Sequence, residues 1–298
     1  MAMPERKPVD ALAVSVMIAL CMCWGFNQIT IKVAAVGISP IMQAGLRSII
    51  ALALLLAWAQ LRGIALFRRD GTLKGGLAAG ALFAGEFVFI YVGLAHTTAS
   101  RMVVFIYLAP CFTALGLQWF VPGERLNAGQ WTGVVLAFLG VALAFADGFS
   151  TAAGSTLVGD AFGVIAAVLW AATTVLIRST RLSSASATKT LFYQLGISAL
   201  TLPLASLAAG EPGIIALTPK VVASLAYQSV IVAFVSYLAW FWLLTRYLAG
   251  RLAVFSFLTP LFGVFFGVIL LSEPVSAAFL AAALLVGGGI VLVNRPTK

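Results

Sequence analysis

Two charged residues in this sequence stand where apolar ones are expected. Arg47 and Glu86 each fall deep inside an apolar run, and a charge facing lipid at mid-depth costs at least ~2.5 kcal/mol. Both should therefore turn inward. Counted at ~1.5 Å per residue from the outer helix ends, Arg47 lies about 10 Å and Glu86 about 15 Å deep, near enough in level for extended side chains to meet. Three chemistries fit such a pair. One is a structural ion pair between the second and third helices. Another is a site for a zwitterion, with Arg47 taking a carboxylate through its planar fork and Glu86 facing an ammonium. In the third, Glu86 accepts a coupling proton, since burial disfavours the charged form of a carboxyl.

Further polar and aromatic groups gather at the same level. Trp24, Asn27 and Gln28, spaced i, i+3 and i+4, share one face of the first helix, and Trp170, Thr173 and Thr174 repeat that geometry 146 residues later. Gln43 lies one turn from Arg47. Tyr193 and Gln194 cover the equivalent position in the second half, Gln194 standing where the first half has Arg47. Tyr91, Tyr107, Tyr237 and Trp240 complete the candidate substrate-binding set. Amides and hydroxyls go unsatisfied in lipid, so an internal cavity is their natural place. Trp58, Trp119, Trp131 and Trp242 read instead as interfacial anchors.

The elements that position these residues follow from composition. With 62% hydrophobic and 9% charged residues and a mean hydropathy of +1.09, the chain belongs in a bilayer. Ten runs are long enough to span one: roughly 11–34, 41–61, 73–95, 102–120, 129–146, 157–178, 188–209, 218–244, 252–271 and 276–294. The first is too long for a signal-peptide core and reads as a retained helix. The net charge of +9 is scattered between the runs with no basic stripe, so nucleic acid is not expected as a partner. Most of the positive charges, Arg6, Lys7, Arg62, Arg68, Arg178 and Arg181 among them, fall on one side of a ten-span chain. Only Lys32, Arg101 and Lys220 fall at the other ends, which puts both termini in the cytoplasm.

The chain also repeats itself. Ala99-Ser100-Arg101, Leu108-Ala109-Pro110, Glu124 and Gly140 return as Ala249-Gly250-Arg251, Leu258-Thr259-Pro260, Glu273 and Gly289, at offsets of 149 or 150 residues. Residues 11–146 and 157–294 are thus expected to be two repeats of five helices. Five is odd, so the second copy enters the bilayer from the opposite side, as in transporters whose site lies between inverted halves. Pro110 and Pro260 remove a backbone donor at matching places and are candidate hinges, plain bending being the alternative.

With Trp24-Gly25, Arg101, Leu108-Ala109-Pro110, Glu124 and the glycine-rich fifth helix in order, and most of them twice, the sequence resembles the EamA branch of the drug/metabolite transporter superfamily over nearly its whole length. The resemblance implies an all-α, basket-shaped membrane protein in which helices 1 to 4 and 6 to 9 surround a central cavity and helices 5 and 10 stand outside. It also implies export of small organic metabolites across the bacterial inner membrane. Within the superfamily the chain is similar to exporters of aromatic amino acids and related metabolites, some of which extrude cationic drugs. Trp170 is followed by Ala171 where the pattern has glycine.

The expected partners are a small-molecule substrate and the lipid bilayer, with the oligomeric state left open. No cofactor or metal is expected: a lone histidine, His96, supplies neither a catalytic triad nor a ligand cluster, and there is no phosphate-binding glycine loop. The readings from other classes are an integral-membrane enzyme acting on lipid-linked substrates and a passive channel. The first would need acids and histidines, which are scarce here. The aromatic content suits a closable pocket better than an open pore.

Overall fold

An apolar run in lipid must satisfy its backbone internally, and the apolar runs of this chain do so as helices. The computed structural model describes residues 6–146, 149, 156–271 and 277–295. Its spans are α1 (Ala11–Ala35), α2 (Pro40–Leu61), α3 (Leu73–Leu94), α4 (Ala99–Ile106 and Ala109–Phe120), α5 (Ala128–Ala144), α6 (Thr156–Ser179), α7 (Ala187–Ala208), α8 (Pro219–Arg246), α9 (Ala249–Leu270) and α10 (Ala277–Asn294). Eight are long and apolar enough to cross a membrane, and α5 and α10 are shorter. Glu273, Lys298 and most of the connection from Asp147 to Thr156 lie outside the described residues.

Helix starts are set by side chains that take orphan backbone donors. Asp10 accepts from Ala13 N–H at 2.9 Å ahead of α1, and Asn127 and Gln130 form a reciprocal capping box at α5. At α2, Pro40 opens the helix and the Glu211 carboxylate, from the α7–α8 connection, accepts the Ile41 and Met42 N–H groups at 3.1 Å each.

The packing maps onto itself when each helix n is exchanged with n+5. α1 packs on α8 and α9, and α6 packs on α3 and α4; α2 packs on α7, and α5 on α10. Directions agree with two inverted halves. Gly133 faces Gly289 while Gly140 faces Ala282 and Val286, so α5 and α10 run antiparallel. Trp24 meets Ser236 and Thr30 meets Gln228, so α1 and α8 do too.

The α5–α10 crossing depends on missing side chains. A Cβ on Gly133 would lie 2.7 Å from Gly289 O and 2.9 Å from Leu292 Cβ, and neither the backbone nor a Cβ can swing aside. Gly133→Val is therefore expected to destabilise the protein by about 1–3 kcal/mol, read as a lowered unfolding temperature in detergent. An unchanged value would mean that the crossing is looser than its geometry.

The prolines act before themselves. α4 stops at Ile106 and resumes at Ala109, with Pro110 in the new first turn, and α9 passes through a 3-10 segment, Val254–Phe257, ahead of Pro260. Each break falls where the proline leaves the carbonyl four residues earlier without a donor. α8 departs from the regular helix expected over 218–244: Tyr227–Ser236 is wound as a π-helix. The wider turn keeps Gln228, Val232 and Ser236, four residues apart, buried on one face.

Candidate functional site

A cavity of about 280 Å³ lies inside the bundle. Its lining comes from α1 to α4 and α6 to α9, while α5 and α10 contribute none of it. It runs from Ile177 and Ala253, near the end that carries the termini, to Leu94 and Ala99, where α3 gives way to α4.

Arg47 and Glu86 both face it. Arg47 is 2% exposed and Glu86 8%, yet the ion pair that the sequence allowed does not form: no carboxylate lies within 4 Å of Arg47 among the described residues. The Arg47 guanidinium instead lies over the Phe87 ring, 4.4 Å from its centroid, and its Nε has no hydrogen-bond partner. A cation over an aromatic face gains part of what a carboxylate would give. The Tyr237 hydroxyl is the polar group beside the other N–H donors of Arg47.

The aromatic residues of the lining meet edge to face. Trp24 packs against Tyr237 and Trp240 with ring centroids 6.5 and 6.1 Å apart, Phe83 against Tyr237 at 5.8 Å, and Tyr107 against Trp170 at 6.0 Å. The Trp24 indole N–H donates to Ser236 Oγ at 2.8 Å, which fixes the ring. Thr173 and Thr174 return their hydroxyls to Leu169 O (2.8 Å) and Trp170 O (3.5 Å) on their own helix. Asn27, Gln28 and Tyr91 also line the cavity. Gln194 does so while wholly buried, and neither end of its amide has a partner.

Two of the expected lining residues point elsewhere. Gln43 is fully buried away from the cavity, its Nε2 donating to Ile31 O at 3.4 Å. Tyr193 is turned toward α3, its ring over Gly76 and its hydroxyl 3.0 Å from Thr72 Oγ1. Gln194, its neighbour on the helix about 100° away, is the one of the two that faces the cavity. Of the two prolines, Pro110 lines the cavity and Pro260 does not.

Sequence reasoning passed over Phe83, Phe87 and Ile90, which with Glu86 and Tyr91 form one stripe of α3, and Thr259, whose buried hydroxyl has no partner. The i, i+3, i+4, i+7 spacing of the α3 stripe around Glu86 was the available signal.

Buried ion pairs sit at both ends of the bundle. At the end carrying the termini, Arg178 of α6 donates to Glu124 Oε1, through Nε at 2.7 Å and through Nη2, and Gly250 N–H donates to Oε2 at 3.0 Å. At the other end Arg101 forks onto Asp160, Nε to Oδ1 at 3.1 Å, with Thr97 Oγ1 donating to the same oxygen at 2.8 Å. In the α2–α3 loop Asp70 accepts from Lys189 Nζ (2.7 Å) and Thr72 Oγ1 (2.6 Å). Those bonds, Lys189 first, hold its carboxyl below the ordinary range.

Known proteins match this architecture. The profile of the EamA-like transporter family matches residues 11–146 and 157–295. An "Uncharacterized transporter" of Archaeoglobus fulgidus is 28% identical over 86% of this chain and 89% of its own length. A "Probable amino-acid metabolite efflux pump" of Escherichia coli K12 is 27% identical over 96% and 94% respectively. A chain of known crystal structure superposes with a TM-score of 0.81 at 19% identity, covering 95% of this chain and 96% of that one, a likeness of fold. With the family profile matched in both halves of an inverted ten-helix bundle, this chain belongs to the EamA-like transporter family and is a membrane transporter, not an enzyme.

Proposed function

We propose that the protein exports aromatic or other bulky neutral amino acids across the bacterial inner membrane by alternating access, with both termini in the cytoplasm. One observation carries this reading: the cavity holds a buried cation and a buried carboxylate that do not pair with each other, beside a wall of indole and phenol rings. Arg47 is seven residues from the start of α2 and Glu86 eight from the end of α3, about 10 and 12 Å deep at ~1.5 Å per residue. Trp24 and Trp170 lie deeper, about 16 and 21 Å by the same count from the end of α1 and the start of α6. A free amino acid fits that gradient. Its carboxylate goes to Arg47, its ammonium to Glu86, and its apolar side chain to the rings below. A cavity of about 280 Å³ is at the small end for ligand sites and suits one metabolite.

The inverted halves supply the two openings, and the breaks before Pro110 and Pro260 are the hinges of this scheme. The efflux-pump relative is named for amino-acid metabolites, which supports the substrate class. The aromatic wall with Glu86 also suits an organic cation, so export of cationic drugs is the second reading, with Arg47 against it.

Counterflow in reconstituted liposomes tests the proposal. Labelled tryptophan or phenylalanine is expected to accumulate against unlabelled amino acid trapped inside, because a carrier exchanges and a channel does not. Counterflow with quaternary ammonium compounds and none with any amino acid would overturn it.

A further inference from the structure

A second cleft, of about 210 Å³, lies at the end of the bundle that carries the termini, between the α4–α5 connection and the turn from α8 to α9. Glu124, Arg125, Asn127, Gln130, Gly250 and Arg251 form its walls. The acceptors of these side chains are already taken. Glu124 receives Arg178 on one oxygen and Gly250 N–H on the other. Asn127 Oδ1 accepts Gln130 N–H at 2.9 Å, and Gln130 Oε1 accepts Asn127 N–H at 3.0 Å. The Gln130 amide is spent as well, donating to Val293 O at 3.0 Å. What remains is the guanidinium groups of Arg125 and Arg251, which have no carboxylate partner among the described residues. A cleft whose acceptors are filled and whose free groups are two forks of N–H donors is built for an anion with several oxygens.

Comparing the halves sharpens the point. Arg101, 150 residues before Arg251, is pinned by Asp160. The position matching Asp160 in the first half, 146 residues earlier, is Val14. Arg251 therefore keeps the cation of the repeat without its acid. Exposed Trp119 and Phe120, at the end of α4 just before the cleft, place it at the level where aromatic side chains meet lipid headgroups.

We propose that this cleft binds a phosphate group through Arg251 and Arg125, carried either by an anionic phospholipid headgroup or by a soluble phosphate. Basic pockets between spans hold such headgroups elsewhere. The test uses the full chain in detergent, following its unfolding temperature during titration with short-chain phosphatidylglycerol, with phosphatidylcholine and with inorganic phosphate. Phosphatidylglycerol is expected to raise the unfolding temperature saturably and phosphatidylcholine not to. Arg251→Gln should weaken the apparent affinity about tenfold, as loss of charge-assisted bonds does, and Arg251→Lys, which keeps the charge without the fork, should fall between. Arg125 is exposed, so Arg125→Gln gives a second, structurally mild variant with a loss in the same direction. Saturation by inorganic phosphate with the same arginine dependence assigns the site to a soluble anion, and saturation by the lipid alone assigns it to the headgroup. No saturable shift with either, or a shift that both glutamine variants retain in full, overturns the proposal.

Discussion

Arg47→Ala is expected to abolish binding and transport of carboxylate-bearing substrates, by about 100-fold or more, while the purified protein stays folded. A charge-assisted contact made by a desolvated arginine is worth about 2–5 kcal/mol when its partner is left unpaired, and about 1.4 kcal/mol is a factor of ten. Stability should move little, and in the favourable direction if at all. Arg47 is buried without a carboxylate among the described residues, so its removal relieves a desolvation cost without breaking a salt bridge. That combination separates a substrate residue from a structural one, since a structural arginine would lose stability and function together. Isothermal titration or a thermal-shift assay with an aromatic amino acid, run beside its decarboxylated amine, reads the effect. The amine should bind the variant at least as well as the wild type. If the amino acid does so too, Arg47 has no part in recognition.

The charges were legible because each interrupts an apolar run, and Gln194 because the repeat places it opposite Arg47. Helix phase was not. A helix at the surface of a soluble protein shows its buried side as an apolar stripe, but here lipid-facing Leu200 and Leu204 and core-facing Leu195 and Leu202 on α7 are the same residue type. Hence Tyr193 and Gln194 could both be named when only Gln194 faces the cavity, and the stripe of Phe83 and Phe87 around Glu86 stood out little among the other apolar residues of α3. The pairs Arg101–Asp160 and Glu124–Arg178 were hidden for another reason. Each joins the two halves, and a within-copy repeat says nothing about which residues meet across the interface. The π-helical stretch of α8 has no proline or glycine to announce it; Gln228 and Ser236, toward its two ends, bond to Thr30 and Trp24 of α1.

Arg178→Ala is expected to be the most destabilising of these substitutions, by about 3–5 kcal/mol, because it strands a carboxylate in the interior. The two side chains are only 5% and 2% exposed, and Glu124 also receives Gly250 N–H, so it is held in place by α9 after its counter-ion is gone. Glu124→Gln should cost less, since an amide oxygen can still accept from Gly250 and Arg178 retains its bond to Leu244 O at 3.3 Å. The double substitution should recover much of the loss, giving a coupling of about 2 kcal/mol or more between the sites. The pair ties α6 to the turn between α4 and α5 and to the start of α9. In the alternating-access scheme proposed above this end of the bundle parts, and the bond breaks in each cycle. The double variant should therefore remain folded yet exchange substrate with an altered balance between the two openings, read as a changed ratio of influx to efflux KM in oriented vesicles. Additive losses and an unchanged ratio would mean that the two side chains act independently and that the pair does not hold this end of the bundle together.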